Sequence, residues 1–161
     1  MSLGINIFAD DPWLLDALRA DLMVWIAMAD LPAPVSPVHA LKALEAIQAG
    51  TRHETLAKRY LADGLPAEWA TDMAMGLVCW MQGHLSMLRQ RRTRITEYRW
   101  RTVGDGRVRP ECRAKDGKRI RWDSLPDHGH PGELWKCRCW PEAFIPLFED
   151  LDDIPIGGSP P

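Results

Sequence analysis

Apolar residues recur at helical spacing through the first half of the chain and alternate with polar ones further on. Leu14, Leu15, Leu18, Leu22, Trp25 and Ile26 form the stripe that a helix buries along one face. Asp11-Pro12 ahead of it offers an N-cap acceptor and a proline whose fixed φ suits the first helical position. This predicts a helix to about Asp30, broken by Leu31-Pro32-Ala33-Pro34. Ser36-Pro37 opens a second helix through Leu41, Leu44 and Ile47, closed by Gly50. Thr51 and Glu54 have capping-box spacing and predict a third helix ending at Gly64. A fourth starts at Pro66 and carries Trp69, Met73, Leu77, Trp80, Met81 and Leu85 toward the basic run Arg89 to Arg94, whose charge complements the C-terminal end of a helix dipole.

After Arg94 the period shortens. Tyr98 and Trp100 alternate with Glu97, Arg99 and Arg101, as a half-buried strand requires. Gly104-Asp105-Gly106 reads as a turn, Arg107-Val108-Arg109 as a second strand stopped by Pro110, and Arg119 to Trp122 as a third strand after the turn Asp116-Gly117. Residues 123–136, rich in Pro, Gly and His, read as loop, and the acidic Pro/Gly-rich stretch after Asp150 as a frayed tail. The expected fold class is α+β, a helical N-terminal half followed by a small antiparallel β module with a Cys/His loop region. Residues 1–93 form the helical region, 94–148 the Cys/His module and 149–161 the acidic tail.

Composition narrows the classes. A chain of 161 residues with 46% hydrophobic and 26% charged content suits one ordinary globular domain. No apolar run reaches the roughly 18 residues of a membrane span, and the apolar opening Met1 to Phe8 meets Asp10 and Asp11 without a basic n-region or cleavage site. The expectation is therefore a protein kept in the cytoplasm, or exported by a route without a cleaved signal. Charge is polarised: residues 1–88 carry five Lys/Arg against ten Asp/Glu, residues 89–140 fifteen against seven, and residues 141–161 none against five. A basic middle between acidic ends implies an anionic partner or pairing between segments.

The sharpest chemistry lies in Cys112, His128, His130, Cys137 and Cys139, five metal-ligand types within 28 positions. Tetrahedral zinc takes four such groups and prefers thiolate with imidazole. A loop-rich segment has little apolar surface of its own, so a metal would supply folding free energy on the order of 10 kcal/mol. The alternative is a hydrogen-bonded turn with buried free cysteines, packed on Trp135 and Trp140. Cys79, on the fourth helix, reads as core. Arg99, Arg101, Arg107, Arg109, Arg119 and Arg121 would share one basic sheet face opposite Tyr98, Trp100, Ile120 and Trp122. That face would hold the phosphates of DNA, or pair with Glu97, Glu111 and the acidic tail. Among the tryptophans, Trp13, Trp25, Trp69 and Trp80 read as helical core, and Trp100, Trp122, Trp135 and Trp140 as a second core around the cysteines.

Trp100, Thr102, Asp105-Gly106-Arg107-Val108-Arg109-Pro110, Asp116-Gly117, Pro126, Gly129-His130-Pro131-Gly132 and Cys137-Arg138-Cys139 agree in order and spacing with a known pattern. Over residues 98–140 the chain resembles the C-terminal module of phage Mu F-type minor head proteins, the phage head morphogenesis family. Cys112 stands where that pattern has histidine, an exchange that a metal site tolerates better than an acid–base position does. The resemblance implies zinc ligation by Cys112, His130, Cys137 and Cys139, with His128 as a spare. It also implies a structural minor capsid protein, with portal or other head proteins and DNA as partners, found in the virion or, as a prophage product, in bacterial cytoplasm. The rival reading is a polymorphic toxin, a nuclease or transferase built on the same module, with His128, His130, Asp105, Asp116 and Glu133 as acid–base groups. The chain has no glycine-rich phosphate loop, serine nucleophile elbow or HExxH helix, so no catalytic residue is assigned and the structural role is preferred.

Overall fold

The computed structural model describes residues 11–31 and 34–149. The segment Met1 to Phe8, Pro32-Ala33 of the predicted break and the tail from Asp150 lie outside the described residues. Four helices come first: α1 (Pro12–Met28), α2 (Pro37–Gln48), α3 (His53–Ala62) and α4 (Ala67–Arg92). Then follow β1 (Glu97–Arg101), the one-turn α5 (Pro110–Arg113), β2 (Arg119–Arg121), β3 (Trp140–Ala143) and α6 (Pro146–Glu149). The architecture is α+β, as expected.

The helix starts follow from their caps. Asp11 accepts from the Leu14 amide, and Ser36 from the His39 amide, while the His39 ring returns a bond to Ser36. The box expected at Thr51 and Glu54 is absent, because Thr51 already serves the end of α2. Its amide bonds back to the Ala46 carbonyl at 2.7 Å, with Gly50 at φ 64, so α3 begins after Arg52 without a side-chain cap. Leu14, Leu18 and Leu22 of α1 are buried with Leu44, Leu56, Met73, Leu77 and Met81, each worth about 1.5–3 kcal/mol of transfer free energy. Helix α4 is the spine, packing on α1, α2 and α3 on one side and on β3 on the other.

The sheet has the order β2-β1-β3, antiparallel throughout, with Tyr98 opposite both Ile120 and Ala143 and Trp100 opposite Pro141. Residues 107–109, expected as a strand, are turn instead. The Asp105 carboxylate accepts the Arg107 amide at 3.0 Å, its carbonyl takes the Val108 amide, and Pro110 then starts α5. These local bonds outcompete a strand ladder. The third strand is β3, an edge strand on which Pro141 is tolerated, since it pairs on one side alone. Gln90 of α4 joins helix to sheet. Its amide nitrogen donates to the Pro141 carbonyl at 2.8 Å and its side-chain oxygen accepts from Trp122 Nε1 at 3.0 Å.

The tryptophans sort differently from expectation. Trp80, Trp100 and Trp122 are buried, but Trp13 and Trp140 are 51% and 45% exposed. Trp135 packs on the helical core rather than among the cysteines, stacked 6.1 Å from Trp25.

Candidate metal centre

Three of the four expected ligands meet. The sulfurs of Cys112, Cys137 and Cys139 lie within 4.8 Å of one another, and all three residues are buried. Cys112 comes from the single turn α5, while Cys137 and Cys139 flank Arg138 just before β3. That loop is fixed by a clamp. Arg138 donates both terminal nitrogens to Asp105 at 2.8 Å each, and Arg109 donates to the Trp135 carbonyl at 2.6 Å. The Arg138 guanidinium holds the Asp105 carboxyl down to about 2.

The trio favours one thiolate at Cys137. A hydrogen bond from the Cys139 thiol lowers it most, and the amides of Cys139 and Gly132 and the Cys112 thiol lower it further against the opposing effect of burial. Cys139 is raised, first by its bond to Cys137 and then by burial, and Cys112 is raised by burial and by charge on Cys137. The buried indole N–H of Trp100 has no hydrogen-bond partner, yet it favours the charged form of Cys139. Clustered buried sulfurs and amide donors aimed at a thiolate are chemistry that a soft or borderline divalent ion fits. These three residues line a cavity of about 290 Å³ with Met75, Arg107, Arg109, Lys136 and Arg138 at its wall.

His130 is placed elsewhere. Its Nδ1 pairs with the Tyr98 hydroxyl at 2.9 Å, its ring packs against Trp122, and burial lowers its pKa. Its amide donates to the Glu133 carboxylate at 2.9 Å. His128 is exposed at φ 67, on a separate groove with Trp25, Trp80 and His84. The carboxylates weighed as acid–base groups are occupied in turns: Asp105 by Arg138, Asp116 by the Thr102 amide at 2.9 Å, and Glu133 by His130.

The six arginines divide. Arg99, Arg101, Arg119 and Arg121 lie on β1 and β2, whereas Arg107 and Arg109 border the cysteine cavity. Arg101 pairs with Glu142 at 2.8 Å, Arg119 with Glu97 at 3.2 Å and Arg121 with Asp123 at 2.6 Å. Arg99 lies 3.8 Å from Glu142, and Arg99 and Arg119 both cover the Phe144 ring.

Sequence reasoning missed the surface on which the loop sits. A Cβ on Gly76 would meet the Trp135 ring at 2.4 Å, and one on Gly83 would meet the Pro131 carbonyl oxygen at 2.3 Å. These two glycines, two helical turns apart, form notches in α4 that receive the loop. The signal was present as glycines inside a 26-residue helix, where each costs about 1 kcal/mol against alanine. Cys79 lies between the notches and is half-buried, not remote from the cluster. It lines a second cavity together with Cys137 and Cys139.

A family model described as Phage Mu protein F like protein matches residues 40–141. No curated protein and no solved structure matches the chain. The match runs from α2 into β3 and so takes in three helices beyond residues 98–140, which carried the resemblance in sequence.

Proposed function

The chain belongs to the phage Mu protein F-like family, and we propose that it serves in phage head morphogenesis as a structural minor head protein. The match over residues 40–141 carries this reading, because it spans helices and cysteine module as one unit. Zinc held by Cys112, Cys137 and Cys139 stabilises the module. Three buried sulfurs within 4.8 Å of one another support that role. The partners are portal or other head proteins, and the site of action is the virion. Among the described residues no helix is long and apolar enough to cross a membrane. Protein contacts take precedence over DNA, because the sheet arginines already face Glu97, Asp123 and Glu142. The toxin reading finds no support in the carboxylates Asp105, Asp116 and Glu133, which are spent on turns and clamps.

The test is deletion of the gene from a phage or prophage that carries it, with protein mass spectrometry of purified heads. The expected result is the protein in heads and a loss of filled particles on deletion. Its absence from heads together with an undiminished particle yield would overturn the proposal.

A further inference from the structure

We propose that Cys79 of α4 is the fourth ligand of the metal centre, so that the ion fastens the cysteine loop to the helical half. This rests on the metal reading above. Three sulfurs leave a tetrahedral ion one ligand short, and a site with four protein ligands is the closed, structural kind. The other candidates lie elsewhere: His130 falls outside the sulfur cluster, His128 faces another groove, and Asp105 is held by Arg138.

Two observations place Cys79 next to the site. It borders the same cavity as Cys137 and Cys139. Its carbonyl oxygen would lie 3.0 Å from a Cβ on Gly132 of the cysteine loop. The Cys79 sulfur stands outside the 4.8 Å trio, so binding requires its side chain to turn toward the loop. The cysteines that are still thiols release their protons on coordination, and four thiolates around a divalent ion carry a net charge of two minus. Arg109 at the cavity wall, which donates to the Trp135 carbonyl rather than to a carboxylate, supplies compensating charge.

The experiment is mass-spectrometric alkylation of the reduced full chain, with and without one equivalent of zinc, alongside cobalt(II) titration of the parent and of Cys79→Ser. Zinc is expected to protect all four cysteines. Cys79→Ser is expected to weaken metal binding by more than the roughly 10–100-fold that loss of a supporting group costs, and to alter the cobalt–thiolate absorption. Protection of Cys112, Cys137 and Cys139 with Cys79 alkylated equally fast in both states would overturn this inference and leave the metal reading standing. No protection and no metal uptake would overturn both. Should Cys79→Ser fail to fold, the protection pattern of the parent decides alone.

Discussion

Gly83 of α4 and Gly132 of the cysteine loop touch backbone to backbone: a Cβ on Gly132 would lie 3.1 Å from the Gly83 Cα. Helix and loop therefore approach closer than any side chain at either position would permit.

Gly83→Ala tests that approach. Alanine alone would gain about 1 kcal/mol of helix propensity, but its methyl would meet the Pro131 oxygen at 2.3 Å, with backbone rather than a flexible side chain in the way. The expected outcome in urea unfolding is a net loss of about 1–3 kcal/mol. Gly106→Ala, with open space around it, should change stability by less than about 0.5 kcal/mol. Parental stability in Gly83→Ala would refute the close contact.

Metal removal should unfold the β module. Zinc-loaded protein treated with a chelator, and the Cys137→Ser variant, should both lose metal and near-ultraviolet circular dichroism, with a lowered thermal midpoint. His130→Gln should keep its metal and lose about 1 kcal/mol through the Tyr98 bond. Elemental analysis separates the cases, and zinc lost from His130→Gln would restore that histidine to the ligand set.

Acid sensitivity should depend on Asp105. Its carboxyl falls from 3.8 to about 2 in the fold, chiefly through Arg138, so the unfolded chain takes up its proton first. The stabilisation is complete above about pH 4 and declines as pH falls toward about 2. Asp105→Asn should be less stable than the parent at neutral pH, with the gap narrowing across that window. Thermal midpoints at stepped pH measure it, and a constant gap would exclude the linkage.

The arginine face should contribute little to stability and not bind DNA at physiological salt. Arg99→Ala with Arg121→Ala removes exposed pairs, worth about 0–1 kcal/mol each. Fluorescence anisotropy with a labelled duplex should show no binding by the parent. Binding that weakens steeply with salt and disappears in the double variant would restore the nucleic-acid role.

The sequence made the helices legible because long apolar stripes and the caps Asp11 and Ser36 agree. It misled at Arg107-Val108-Arg109, where alternation resembles a strand but the Asp105 side chain and Pro110 set a turn. It hid β3, four residues containing a proline, because an edge strand takes its shape from its neighbour. Of the site, Cys112, Cys137 and Cys139 were legible from residue type. His130 was not placed, since spacing cannot reveal that a ring nitrogen turns toward Tyr98. Cys79 read as core because nothing in one dimension brings helix α4 to residue 132.

The bonds that link Gln90 with Pro141, 51 positions on, and Asp72 with its donor Lys136, 64 positions on, also bear on synthesis. The central strand β1 leaves the ribosome before either of its neighbours, and β3, the last to emerge, completes both the sheet and the seat on α4. A nascent chain stalled before Trp140 would expose Tyr98 and Trp100 on an unpaired strand edge open to wrong pairing. The sheet and its seat on α4 are thus complete only once β3 has been made.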